Sequence, residues 1–271
     1  MPEPLAEKGW FASLPNDSVV KTVLIATLLC LVCSVVVSAT AVALRPLQER
    51  NAVLAMKQEI LRVAGLYDPT RPIEASFSQV ETRIIDLETG QIATDIDPET
   101  FDFQKAAHDP ASSVAISPEN DIASLGRRAR YMPVYVVRRA DKPNMIILPV
   151  SGYGLWSTMY GFLALDEDGT TVSGITFYQD AETPGLGAEI NNPRWQNNWV
   201  GKQVYDDKGK VALHVIKGAV TAGRPGAVYE IDGLSGATLT ANGVSNLIRY
   251  WLGDQAYGPF LERIRSGESV I

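Results

Sequence analysis

The chain is almost without cysteine: Cys30 and Cys33 are the only two in 271 residues. Nothing after residue 44 can therefore form a disulfide or the cysteine array of an iron–sulfur centre, and a cysteine-free domain is compatible with an oxidising compartment. Histidine is as scarce, with only His108 and His214, and this leaves little material for a metal cluster or a catalytic triad. Basic charge is also short. With 24 Lys and Arg against 31 Asp and Glu, the net charge is -7, which argues against nucleic acid as a partner. No G-x-G-x-x-G follows a strand-like run, so nothing in the chain reads a dinucleotide. Internal repeats and low-complexity tracts are missing too. What remains is 46% hydrophobic, enough for one large folded unit or two small ones.

An uncharged and almost wholly apolar run, TVLIATLLCLVCSVVVSATAVAL, extends from Thr22 to Leu44, bounded by Lys21 and Arg45. A bilayer core of roughly 30 Å is crossed by about 20 apolar residues in a helix, so this segment reads as a transmembrane helix behind a short tail, residues 1–21. A cleaved signal peptide is the rival, but its apolar region would be only about 7–15 residues long. Orientation stays open on charge alone. Lys8 and Lys21 precede the span and Arg45, Arg50, Lys57 and Arg62 follow it, a count that favours a cytoplasmic C-terminal domain, although long domains cross largely regardless of local charge. Cys30 and Cys33 form a C-x-x-C inside the span, where they read as small apolar residues rather than a redox pair.

Residues 45–271 form the folded domain. Its first segment, PLQERNAVLAMKQEILRVAGL (46–66), reads as a connecting helix opened by Pro46 and closed at Gly65, with Leu47, Leu54 and Leu61 on one apolar stripe. Strand-like runs follow: RIIDLE, MPVYVVRR, NMIILPV, a hairpin in GFLALDEDGTTVSGITFYQD turning at residues 166–169, and KVALHVIKG at 210–218. The polar, Pro- and Asp-rich stretch 88–125 reads as a surface excursion. Residues 239–252 carry Val244, Leu247, Ile248, Trp251 and Leu252 at the spacing of a buried helix face. Strands in sequence with helices at the ends predict an α+β domain with a mainly antiparallel sheet.

Three motifs carry chemistry. In Ser151-Gly152-Tyr153-Gly154-Leu155-Trp156-Ser157, two glycines permit close approach of a ligand, and Tyr153 and Trp156 are suited to a flat ring. In Glu182-Thr183-Pro184-Gly185-Leu186-Gly187-Ala188-Glu189, a Pro-Gly turn leaves Thr183 and backbone N–H groups to donate to a ring carbonyl or a phosphate. The third, Asp232-Gly233-Leu234-Ser235-Gly236-Ala237-Thr238-Leu239-Thr240, opens the 239–252 helix and sets hydroxyls where a phosphate meets a helix N-terminus. Each has a plain structural alternative: a glycine turn, a second turn, and helix capping by Ser or Thr.

Together the motifs, the span and the helix that follows it resemble the C-subunit family of the sodium-translocating NADH:quinone reductases, and more broadly FMN-binding domains that carry a tethered flavin. The resemblance covers nearly the whole chain. It implies that Thr238 carries FMN as a phosphodiester, formed from FAD with release of AMP by a flavin transferase. Asp232, Ser235, Gly236 and Ala237 complete the attachment motif, with Asp232 positioning a metal or activating the hydroxyl during attachment; no resident metal is expected. Tyr153, Gly154, Trp156, Glu182, Thr183, Leu186 and Gly187 become the non-covalent neighbours of the flavin. The resemblance further implies an electron-relay subunit of a six-subunit complex of the bacterial inner membrane. Electrons would pass singly between an iron–sulfur centre and a second flavin subunit during NADH:ubiquinone oxidoreduction coupled to sodium export. The flavin domain would lie in the periplasm. The homologous subunit of an Rnf-type ferredoxin:NAD oxidoreductase is the alternative within this class, and a membrane-anchored flavin-binding sensor or scaffold lies outside it. A serine hydrolase built on Gly233-Leu234-Ser235-Gly236-Ala237 is disfavoured, because Ala237 stands where a nucleophile elbow has Gly and both histidines precede Ser235.

Overall fold

The computed structural model describes residue 15 and residues 18–139 and 144–268. Most of the N-terminal tail, including Lys8, lies outside them. The chain divides into two compact units, Met1–Val53 and Leu54–Ile271.

The first helix, α1, runs unbroken from Val19 to Ala64, 46 residues with Pro46 inside it. Its N-terminal part is long and apolar enough to cross a membrane, with a mean hydropathy of 2.6 over its most apolar window and none of that window buried. Cys30 and Cys33 are exposed on it. Pro46 therefore does not open a second helix. Proline denies one backbone hydrogen bond to the carbonyl four residues back, here Val42, but its φ is helical and the turns on either side carry the helix through. The expected stop at Gly65 is realised as a Schellman motif: Gly65 N–H donates to Arg62 (3.0 Å) and Leu66 N–H to Leu61 (2.8 Å), with Gly65 at φ +70°. The apolar stripe is only partly used. Leu47 is exposed, whereas Ile60, Leu61 and Ala64 are buried.

The second unit is built on a six-stranded antiparallel sheet. In chain order its strands are β1 (Val80–Asp86), β2 (Gln91–Ile92), β5 (Tyr131–Val137), β6 (Met145–Tyr153), β7 (Thr158–Asp166) and β8 (Val172–Gln179), arranged β2-β1-β5-β6-β7-β8. Period-two alternation divides its side chains. Ile147, Phe162 and Tyr135 face the end of α1, where Ile60 and Leu61 cover them. Leu148, Val150 and Leu163 lie in the opposite core with Val244, Leu247 and Ile248. The last three belong to α5 (Thr238–Trp251), the helix expected at 239–252, and α6 (Gly258–Arg265) closes the same side with Phe260 and Leu261. This is the α+β architecture the strand order implied.

One segment differs from expectation. Of KVALHVIKG only β9 (His214–Val215) is a strand, and it pairs in parallel with β10 (Glu230–Ile231). The N–H groups of Ala212 and Leu213 both turn to the Val204 carbonyl, so the chain before β9 is irregular, and only Leu213 and Val215 of the run are buried. The stretch 88–125 lies mostly at the surface, as expected, and carries elements of its own: α3 (Phe103–His108), and β3 (Ser113–Ala115), which pairs with β4 (Arg127–Ala129) just beyond it; the short α2 (Ile73–Phe77) precedes it. Its aspartates are caps, since Asp102 accepts from Gln104 and Lys105 N–H and Asp121 from Leu125 and Gly126 N–H.

Candidate functional site

The three motifs meet at one end of the sheet. Residues 151–157 form the β6–β7 turn, in which Gly154 N–H donates to Ser157 at 2.9 Å. Residues 182–189 follow β8 and lead through a 3-10 turn to α4 (Pro193–Asn197). Residues 232–240 enter α5.

One carboxylate ties them together. Glu182 is 5% exposed. Its Oε1 accepts from the N–H groups of Leu155 (2.9 Å) and Trp156 (3.1 Å), and its Oε2 accepts from the Thr240 hydroxyl (2.5 Å). Burial works to raise the Glu182 pKa, but the Thr240 hydroxyl and the N–H groups of Trp156, Leu155 and Ser157 together hold it below the ordinary glutamate value. Glu182 is therefore an anion at neutral pH, fastened to the turn on one side and to the first turn of α5 on the other. Two glycines make room for it: a Cβ on Gly187 would lie 2.5 Å from Glu182 Oε2 and 2.6 Å from Thr240 Oγ1, and Gly154 has no space for one either. Gly243 of α5 lies equally tight against the Tyr153 carbonyl, 2.5 Å from where a Cβ would stand.

Several of the remaining motif residues are exposed around this buried joint, while Leu234 and Ala237 are in the core. Trp156 is 64% exposed, and its indole Nε1–H donates to Thr183 Oγ1 at 3.1 Å. The Tyr153 hydroxyl donates to the Trp156 carbonyl at 3.4 Å. Leu155, Leu186 and Leu239 are exposed alongside, an arrangement of apolar and aromatic side chains that suits a flat ring. Thr238 is the exposed first residue of α5. Ala237 occupies the N-cap position and no side chain caps the helix, so neither Ser235, Thr238 nor Thr240 has the capping role that was the plain reading of these hydroxyls. Helix geometry leaves the first N–H groups without intrahelical acceptors, a setting in which an anion is stabilised. A phosphate bonded to Thr238 Oγ fits it.

Asp232 stands apart from the hydroxyl. Its Oδ1 accepts from Val220 N–H (2.7 Å), its Oδ2 from the Asn198 amide (3.2 Å) and its carbonyl from the Trp195 indole (2.8 Å). It pins the loop ahead of Ser235 and Gly236. The role of Thr240 was missed from sequence, because its burial depends on a partner 58 residues away.

An FMN-binding domain family matches residues 154–253, spanning all but the first residues of this constellation. The C subunit of the Na(+)-translocating NADH-quinone reductase of Yersinia pestis is 47% identical over 93% of this chain and 95% of its own length. The C subunit of the same enzyme from Pseudomonas aeruginosa is 47% identical over 94% and 99%. Among solved structures, the NqrC of Shewanella oneidensis superposes with a TM-score of 0.70 at 32% identity, covering 78% of this chain and 96% of that one. The C subunit of the Parabacteroides distasonis enzyme gives 0.61 at 28% identity, with 80% and 96% covered. With an FMN-binding domain beside a membrane-length helix, and this extent of similarity along both chains, the protein belongs to the C-subunit family of the Na(+)-translocating NADH-quinone reductases, and so to a complex oxidoreductase of several subunits.

Proposed function

We propose that this chain is the electron-relay subunit of its complex, carrying FMN esterified through phosphate to Thr238 Oγ and passing electrons one at a time between an iron–sulfur centre and a flavin on another subunit. The observation that carries this reading is the exposed, non-capping hydroxyl of Thr238 at the open N-terminus of α5, beside exposed Trp156, Leu155 and Leu186. When bound, the isoalloxazine supplies reversible one- and two-electron chemistry. The residues of the chain supply the rest. The N–H groups opening α5 stabilise the phosphate charge, and Trp156 and Tyr153 offer ring surface. Glu182 holds the β6–β7 turn against α5, so that ring surface and attachment point keep a fixed separation. A tether through phosphate leaves the ring itself unmodified, so its potential is set by these neighbours. It also prevents loss of the cofactor to a dilute compartment.

The flavin transferase acts on the exported side, so residues 45–271 are assigned to the periplasm and the tail to the cytoplasm, against the local Lys and Arg count. The chain has neither a dinucleotide-binding loop nor a cysteine array, so its partner subunits oxidise NADH and reduce quinone.

The attachment is tested on a denaturing gel. Co-expressed with the transferase, wild-type chain should purify yellow, be bleached by dithionite, and give a fluorescent flavin band. Thr238→Val should give none, since it keeps the β-branched shape and removes only the hydroxyl. Thr238→Ser should retain label. Label persisting in Thr238→Val, or a mass increment mapping to Ser235 or Thr240, would overturn the assignment. An alkaline phosphatase fusion at the C-terminus should be active, and an inactive one would reverse the topology.

A further inference from the structure

The sheet is not continuously paired. β5 and β6 share a register only from Tyr135↔Ile147 to Val137↔Met145, and β6 then runs on for six residues paired with β7 alone. The gap is partly bridged by side chains: Tyr257 donates to the Pro149 carbonyl (2.9 Å) and the Trp251 indole to the Ser151 carbonyl (2.7 Å). What is left open is a cavity of about 240 Å³ between β6, α3 and β4.

The chemistry of this cavity is one-sided. Arg127, Arg128 and His108 line it, and no Asp or Glu does, in a chain of net charge -7. Both guanidinium groups are pinned with donors to spare. Arg127 donates through Nε to Ser113 Oγ (2.8 Å) and through Nη2 to the Ser113 carbonyl (3.1 Å), and Arg128 donates through Nη1 to the Ala129 carbonyl (3.1 Å). Neither has a carboxylate oxygen within 4.0 Å among the described residues. Asp109, next to His108 and outside the lining, accepts from Ala111 N–H (3.0 Å) and the Ser112 hydroxyl (2.9 Å), and these bonds together with the more distant Arg127 charge hold its carboxyl below the ordinary range. The alternation of the β6–β7 ladder directs Tyr153 N–H to Ala123 and, two residues earlier, Ser151 N–H away from β7 into the gap. Pro149, the next such position, has no N–H to leave unpaired. Phe103, Tyr160 and Met132 give the cavity an apolar wall.

Pinned guanidinium forks with no carboxylate lining the cavity, a free backbone donor and an aromatic wall match a phosphate ester bearing a small apolar group. We propose that this split in the sheet is a binding site for such an ester, separate from the attachment point at Thr238, with Arg127 and Arg128 holding the phosphate. A free phosphate ester and the headgroup of an anionic phospholipid share this chemistry.

The test uses the full chain in neutral detergent, titrated calorimetrically with phenyl phosphate and, in parallel, inorganic phosphate. Phenyl phosphate should saturate at one site and bind more tightly than inorganic phosphate. Arg127→Gln with Arg128→Gln should weaken it by about tenfold or more, as expected for loss of charge-assisted bidentate contacts. Arg138→Gln, which removes an exposed charge paired with Glu81, should leave it unchanged. Repeating the titration in nanodiscs separates the sources: weaker apparent binding in anionic than in neutral lipid identifies the headgroup as occupant, and equal binding identifies the free ester. Absence of saturable phenyl phosphate binding, or equal binding by the double variant and Arg138→Gln, would overturn the proposal. The circular dichroism spectrum of the double variant, matched to wild type, excludes misfolding as the cause of a loss.

Discussion

The Thr240 hydroxyl donates to Glu182 Oε2 across 2.5 Å, joining the first turn of α5 to the loop after β8. Because Oε1 of the same carboxylate accepts the N–H groups of Leu155 and Trp156, a single side chain fixes the geometry of three motifs.

The pH dependence of stability should carry the mark of Glu182. Its pKa in the folded state is lowered, while in the unfolded chain it is about 4.3. Its stabilisation is therefore fully present above the unfolded value and is lost as pH falls through the folded one. Urea unfolding of wild type and Glu182→Gln should differ by about 1–3 kcal/mol at pH 7, and the gap should narrow below roughly pH 4. A gap that stays constant to acid pH would contradict the role given to the charge.

Gly187→Ala should disrupt the buried joint directly. The added Cβ would meet Glu182 Oε2 and Thr240 Oγ1 inside contact distance, and neither group can swing away without breaking a buried hydrogen bond. A loss of about 1–3 kcal/mol is expected from such overpacking. Gly185→Ala meets nothing within 4 Å but must keep φ near +74°, which costs about 1–2 kcal/mol through backbone strain alone. Only the first should also lower flavin attachment, measured by gel fluorescence.

Trp156→Ala separates function from folding. The side chain is largely exposed and its one hydrogen bond is to Thr183, so stability should change by no more than about 0.5 kcal/mol. Flavin fluorescence of the native protein should rise as the neighbouring indole is removed. An unchanged emission spectrum and midpoint potential would remove Trp156 from the ring's surroundings.

Truncation should locate the boundary of the folded unit. A chain beginning at Leu54 keeps Ile60 and Leu61, both fully buried against the sheet, and should be soluble and fold cooperatively. One beginning at Leu66 loses that cover and should aggregate. Leu61→Ala in the longer chain should cost about 2–5 kcal/mol, read from the urea midpoint.

Much of this molecule was legible in order along the chain. An uncharged run between Lys21 and Arg45, alternating strands, the i, i+3, i+4 stripe of α5 and the stop at Gly65 all depend on neighbours within a turn or a strand. Local chemistry dictates them, and the three motifs were visible for the same reason. α6 escaped notice because eight residues with Glu262, Arg263 and Arg265 among them carry too little periodic signal.

The tertiary structure alone decided the rest. Pro46 was free to open a helix or sit within one, and the continuity of α1 on both sides settled that. Glu182 read as a neighbour of the flavin, and the fold adds a second task that the sequence did not show: its oxygens accept from Leu155, Trp156 and Thr240. Asp232 lies close in sequence to Thr238 and is held instead by Val220 and Asn198. The parting of β5 from β6 was marked in the sequence by little more than Pro149, which has no N–H for a neighbouring strand, since both strands are otherwise continuous apolar runs. A buried carboxylate, a loop aspartate and an unpaired strand edge each take their meaning from partners tens of residues away, and a polar group removed from water must find whichever donor the fold brings to it.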